Sequence, residues 1–174
     1  CMGSGFSEST PYSDGVFEKV GMAHVVVDKD PYALKLSLDP VNANTYQLVA
    51  SIELDNGSHF VSPYSANKYT GYFRMNLNEN SFCHLNSSFI ESPLTVAQPD
   101  KVEGGVVHIV DKYASYTQVI TVLSESDFKA TGMVQFVIEP KCTFEEIPFS
   151  ITSENGKLTV QMYPKLDKRT CSPK

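Results

Sequence analysis

The chain has 174 residues, of which 41% are hydrophobic, 20% charged and 11% aromatic, and it carries a formal net charge of -6. That length suits one domain with a short tail and is enough for a real core. The acidic balance, with no basic run carrying interleaved aromatics, argues against nucleic acid as a partner, and no apolar run reaches the roughly 18 residues of a membrane-spanning helix.

The chain opens "CMGSGFSESTPYSDG". A cysteine followed by small and polar residues matches the processing pattern of bacterial lipoproteins, which are cut immediately before the cysteine that then carries the lipid. The competing reading is a cloning remnant such as "MGS". On the first reading Cys1 is lipidated and residues 1–15 are a tether. The acids do not directly follow Cys1, which favours the periplasmic face, and an outer-membrane anchor is expected.

From there to residue 164 the pattern is that of strands. "GMAHVVV" (Gly21–Val27) is a continuous apolar run; "ALKLSL" (Ala33–Leu38) and "TYQLVASIEL" (Thr45–Leu54) alternate with period two, the mark of half-buried strands. "DNGS" (Asp55–Ser58) ends the third with turn chemistry. "GYFRMNL" (Gly71–Leu77) sets Phe73, Met75 and Leu77 against Tyr72, Arg74 and Asn76. "SFCHL" around Cys83, "VVHIV" (Val106–Val110) and "SYTQVITVL" (Ser115–Leu123) follow. "MVQFVI", "IPFSIT" and "KLTVQMY" close the series, and Asn155-Gly156 between the last two is a strong hairpin signal. Residues 87–105 read as the largest irregular stretch, and "SESDFKATG" allows one helical turn. About ten short strands predict an all-β chain, a two-sheet antiparallel immunoglobulin-like sandwich over residues 16–164, with a polar tail at 165–174.

The four cysteines, Cys1, Cys83, Cys142 and Cys171, form no close pair, so zinc spacing is absent. With Cys1 lipidated, Cys83, Cys142 and Cys171 allow three different single bridges or none. A Cys142–Cys171 bridge would tie down the polar tail. Cys142 has Lys141 before it and Glu145 and Glu146 after it, which predicts no strong thiolate activation. Cys83 and His84 are neighbours on a strand and point to opposite faces, so they cannot share a metal; a dyad of Cys83 with His59 or His108 stays open but is disfavoured. No nucleophile elbow, phosphate loop, dinucleotide fingerprint or zincin motif is present. Tyr64, Tyr69, Tyr72, Tyr113 and Tyr116 fall near loops and strand ends, where they would either line a binding surface or fill core and rim positions.

The order of these features resembles the N-terminal domain of the thiol:disulfide interchange protein DsbD and the related disulfide bond corrector domains. "ASIELDNGSHFVSPYS" (Ala50–Ser65) has that family's succession of strand, Gly, His, aromatic and Ser, without its Trp. "GMVQFVIEPKCTFEEIPFSI", from Gly132 to Ile151, has the Gly, the alternating strand, one cysteine and the closing strand. The resemblance covers about residues 20–152 and implies an immunoglobulin-like periplasmic sandwich. In the family two cysteines at this break form a redox-active disulfide. Here only Cys142 matches, as the second of the pair, and a lone thiol has nothing in its own motif to resolve a mixed disulfide. The shielding loop would fall in about residues 92–113, and no residue there matches the family's aromatic cap.

The expected protein is therefore a non-catalytic envelope lipoprotein whose sandwich binds or assists a protein partner, with no cofactor, no metal and no catalytic residue. A thiol-disulfide exchange module using Cys142 with a distant cysteine is the alternative. A carbohydrate-binding or adhesin-like sandwich is the second, and it requires an exposed aromatic platform.

Overall fold

The computed structural model describes residues 23–25, 30–65, 71–102, 104–166 and 169–170. They form an all-β sandwich of antiparallel sheets. The first sheet is built on three long strands: β2 (Tyr32–Asn42), β3 (Thr45–Leu54) and β10 (Tyr113–Val122). β1 (Ala23–Val25) pairs with β2 at one edge. At the other edge β6 (Cys83–Leu85) and β7 (Ile90–Ser92) pair in succession along β10. The second sheet runs β13 (Lys157–Met162), β12 (Thr143–Glu154), β11 (Phe128–Ile138) and β5 (Arg74–Leu77), with β14 (Arg169–Thr170) also on β12. A small third sheet joins β4 (Phe60–Val61), β9 (Val106–Val110) and β8 (Ala97–Pro99).

Period-two sequence becomes alternating burial. Leu34, Leu36 and Leu38 of β2 and Leu48, Ala50 and Ile52 of β3 are buried, and they face Val134, Phe136 and Ile138 of β11 and Ile147, Phe149 and Ile151 of β12 in one core. At about 1.5–3 kcal/mol for each fully buried large aliphatic or Phe side chain, this core dominates the favourable side of folding. Phe60, Phe73, Tyr116 and Phe136 meet at its centre; the Phe73 and Tyr116 rings stack at 4.5 Å.

The Asn155-Gly156 hairpin is present between β12 and β13, with φ of 53° and 78°, the left-handed pair that a two-residue type I′ turn requires. Gly132 meets a different demand: a Cβ there would run into the Asn76 carbonyl oxygen and lie 2.5 Å from Phe149 Cζ. Its bare backbone is what lets β5 approach β11.

The structure departs from the sequence expectations in two places. Residues 87–105, read as irregular, contain β7 and β8. "SESDFKATG" holds no helical turn: residues 125–126 are a bend and β11 begins at Phe128. Strands β11 and β12 also extend further than their apolar cores indicate, because polar residues such as Lys129, Thr131 and Glu154 continue the ladder at exposed positions.

One side of the sandwich is closed where β13 packs on β1 and β2. On the other side the short edge strand β5 meets β6 of the first sheet's broken edge, and two cavities lie along that line.

Candidate functional site

The cysteines are separated by their environments. Cys83 is a free thiol, 3% exposed, on the inward face of β6. Burial pushes its ionisation up, so it is a poor nucleophile. His84 points out of the same strand and is exposed, while His59 exchanges backbone hydrogen bonds with Glu139 and His108 contacts Thr95. Cys142 is disulfide-bonded. It is half-buried in the four-residue connection between β11 and β12 and holds a left-handed φ of 56°. Because Cys83 is free, the bridge is to Cys1 or Cys171, both outside the described residues. The expectation that Cys83 was open to bridging is corrected by its inward position on β6. β14 is in register with β12 through Thr143–Thr170 and Phe144–Arg169.

The four tyrosines of this set among the described residues do not form one patch. Tyr69 lies outside the described residues. Tyr113 stands at the start of β10 opposite Glu53, beside Lys112. Tyr64, Tyr72 and Tyr116 gather on the side of the sandwich where β5 meets β6. Tyr64 is 45% exposed and its ring lies 4.8 Å from that of Phe89; Phe89 meets Tyr116 edge-on at 6.1 Å; and Arg74 sits over the Tyr72 ring at 5.8 Å, a cation–π contact.

Between these groups runs a groove. One cavity of about 320 Å³ is floored by Phe73, Met75, Tyr116 and Gln118 and walled by Pro63, Ser65, Tyr72, Ser87 and Phe89. A second of about 380 Å³ continues it toward Asn78, Asn80 and Cys83, and Met75, Asn76, Ser87 and Gln118 line both. Gln118 Nε2 donates to the Asn86 carbonyl at 2.8 Å, which holds the kink between β6 and β7 that opens the groove.

The groove wall is fixed by a buried acid. Glu91 is 2% exposed. Its Oε2 accepts from Ser62 Oγ at 2.5 Å and Tyr116 Oη at 2.7 Å. Its Oε1 accepts from the Thr95 backbone N–H at 3.2 Å and Thr95 Oγ1 at 2.9 Å. Four donors on two oxygens satisfy a buried carboxylate without a cation in contact, and charge-assisted bonds of this kind are the strong ones. The single Thr95 hydroxyl proton goes to Glu91, so in the 3.0 Å contact with His108 Nδ1 the histidine is the donor. Ser62 Oγ also accepts from the Tyr64 N–H, and Ser65 Oγ bonds both the N–H and the carbonyl of His108. Pro63, Tyr64 and Ser65 are thereby locked between strands. Burial first, then the bond to Glu91, pushes the Tyr116 phenol far up.

Glu91 is a residue that sequence reasoning missed. In "FIESP" an apolar Ile beside an acid predicts Ile90 inward and Glu91 outward; the structure reverses them, with Ile90 64% exposed. The reversal is possible because Tyr116 of β10, Ser62 just after β4 and Thr95 together supply four donors on the inner face.

A second buried acid, Glu145 on β12, lies beyond the groove. Its Oε1 accepts from Tyr32 Oη and from Lys165 Nζ, both at 2.8 Å, and Lys165 also reaches Asp30 Oδ1 at 2.5 Å. Glu145 Oε2 is buried without a hydrogen-bond partner. The two adjacent acids part company because β alternation turns Glu145 into the core and leaves Glu146 partly exposed. Among the described residues no group of three or more His, Cys, Asp or Glu is placed to hold a metal ion.

No family model matches the chain and no curated protein matches it. Among solved structures it is similar to the N-terminal periplasmic domain of ScsB from Proteus mirabilis, with 12% identity and a TM-score of 0.47 over 83% of this chain. The chain spans 50% of that structure's length.

Proposed function

We propose that this chain is a non-catalytic binding module of a bacterial cell envelope, held by a lipid on Cys1 at the outer membrane, facing the periplasm, and presenting its sandwich to a protein partner. The observation that carries the reading is the groove: an aromatic floor, polar lips and a wall pinned by Glu91, on the side of the sandwich where β5 meets β6. Pockets of this make-up, apolar at the base and polar at the rim, suit protein contacts. The disulfide at Cys142 fits an oxidising compartment. The free thiol is buried and its ionisation pushed up, which leaves Cys83 without nucleophilic work.

The test is chemical cross-linking in the native membrane followed by identification of the joined proteins, with intact mass of the N-terminal peptide. A reproducible protein neighbour and a lipidated Cys1 are expected. A Cys1 free of lipid removes the anchor, and a chain that cross-links to nothing removes the partner.

One observation favours a second reading, thiol-disulfide exchange: the Cys142 bridge sits in a turn beside the exposed Lys141, within reach of a partner thiol. A reduction potential in the range of exchange proteins, roughly -120 to -270 mV, is what that reading requires; a bridge below about -300 mV is structural.

A further inference from the structure

We propose that Lys165 and Asp30 condense to an intramolecular amide, with Glu145 as the base that frees the amine. The inference is independent of the partner-binding reading and of the disulfide. Lys165 Nζ lies 2.5 Å from Asp30 Oδ1 and 2.8 Å from Glu145 Oε1. The side chains of Lys165, Asp30 and Glu145 are 12%, 3% and 0% exposed. Tyr32 Oη donates to Glu145 Oε1, the Tyr32 ring centre is 5.7 Å from Nζ, and that ring packs edge-on against Phe136. An amine, a carboxyl group and a second carboxylate are thus enclosed together beneath an aromatic wall.

The backbone holds both reacting residues in place. On either side of Lys165, the Tyr163 N–H bonds the Pro148 carbonyl and the Leu166 N–H bonds the Glu146 carbonyl. Beside Asp30, the Pro31 carbonyl accepts from the Asp55 N–H. Groups fixed in this way reach effective concentrations of about 10⁵–10⁸ M when the reacting atoms stand about 3–3.5 Å apart. A carboxyl carbon lies one bond behind its oxygen, so an amine at hydrogen-bond distance from Oδ1 is already close to that range.

The resting trio favours the ammonium, which has no lone pair for attack, so an adjacent base is needed. Glu145 Oε1 touches the ammonium, and its Oε2 is buried without a hydrogen-bond partner, an oxygen on which the transferred proton can rest. The freed amine attacks Asp30 Cγ. The Nζ–Cγ bond forms and one Cγ–O bond breaks. Of the three ammonium hydrogens, one stays on the amide and two leave with the oxygen as water, so Glu145 ends as the carboxylate it began. No oxidant or co-reactant enters. Two buried charges become one neutral amide, which surroundings of low polarity favour. The ion pair is the starting state, and the titration of the lysine belongs to chain that has not condensed. The amide fastens the segment after β13 covalently to the residue next but one before β2.

The experiment reduces, denatures and digests the full chain and identifies the fragments by mass. Expected is a branched fragment joining the Asp30 and Lys165 peptides, lighter by one water than the two together. Lys165→Arg keeps the cation without the amine and should give no branch. Glu145→Gln keeps the shape without the base; with its fold checked by circular dichroism, it should accumulate the branch about 100-fold more slowly or not at all. Recovery of Asp30 and Lys165 from the unaltered chain only in linear peptides of full mass would overturn the proposal, however the variants fold. A water loss that persists in Lys165→Arg lies elsewhere in the chain and overturns it too. A Glu145→Gln chain that condenses as fast as the parent overturns the role of Glu145.

Discussion

Lys165 Nζ lies 2.8 Å from Glu145 Oε1, and it is the cation that makes this acid tolerable in the core. Glu145 is 1% exposed and Asp30 shares the same ammonium. Burial acts to lower the Lys165 ionisation, but the hydrogen bonds and charges of Asp30 and Glu145 outweigh it and the net shift is upward. This contact ties the segment after β13 to Asp30, just before β2, at one point of the core.

Lys165→Met removes the ammonium from the buried Glu145 carboxylate and is expected to cost about 3 kcal/mol, measured by urea unfolding. Glu145→Gln in the same chain should recover part of that loss. The pH dependence follows from the sign of the shift. A raised folded value means the contribution is complete below the ordinary lysine value of 10.5 and is lost as pH rises through the folded one. The difference between parent and Lys165→Met should therefore stay level through neutral pH and shrink above that value. Tyr32, pushed up by burial first and by Glu145 next, adds an alkaline loss of the same sign that begins near its ordinary value of 10.0. Tyr32→Phe separates the two.

Glu91→Gln should be worse than its near-identical shape implies. The carboxylate receives four donors, and an amide nitrogen in place of one oxygen turns its own N–H groups against donors. Each buried donor left unmade costs about 1–3 kcal/mol, so a loss of about 3 kcal/mol is expected. Amide exchange at Tyr64 and His108 should accelerate with it, because the groove wall hangs on this acid. A variant with unchanged stability and exchange would show that the network holds nothing.

The Cys142 bridge is expected to end at Cys171. Peptide mapping without reductant should give one fragment carrying both. For a loop of roughly thirty residues the chain-entropy account gives about 3.5 kcal/mol, so Cys142→Ser and Cys171→Ser should lower stability alike and their double variant no further. Cys83 should resist alkylation in the folded chain and react once it is unfolded in urea, since it is free and buried. Recovery of Cys142 joined to Cys1 would overturn both the assignment and the lipid anchor.

Gly132→Ala should cost about 2 kcal/mol, because the new methyl meets backbone at Asn76 and the ring of Phe149. The strain falls on the β5–β11 pairing. Exchange at the Asn76 and Asn78 amides should therefore rise more than at the β11–β12 ladder. Equal acceleration everywhere would mean that β5 is not the element displaced.

The long strands were legible because their burial repeats the sequence period: Leu34, Leu36 and Leu38, or Val134, Phe136 and Ile138, show in the alternation which face goes inward. The Asn155-Gly156 hairpin was equally legible, since its φ values are a local property of those two residues. Tyr64, Tyr72 and Tyr116 were flagged as a type of residue without any indication that they meet. Their meeting depends on β5 and β10 lying on facing sheets, a relation between residues more than forty positions apart.

What the sequence by itself determined is the strand content, the hairpins and the inward face of each apolar strand, because period and turn chemistry act over a few residues. It also ruled out paired-cysteine and metal motifs by spacing alone. Only the tertiary structure decided which polar residues go inside. Glu91 and Glu145 are buried because distant strands bring them hydrogen-bond donors, and a buried carboxylate is stable only where such donors converge. It likewise decided that Cys83 is a core thiol and Cys142 a bonded one. Those outcomes follow from strand order and register, which no short stretch of the chain contains.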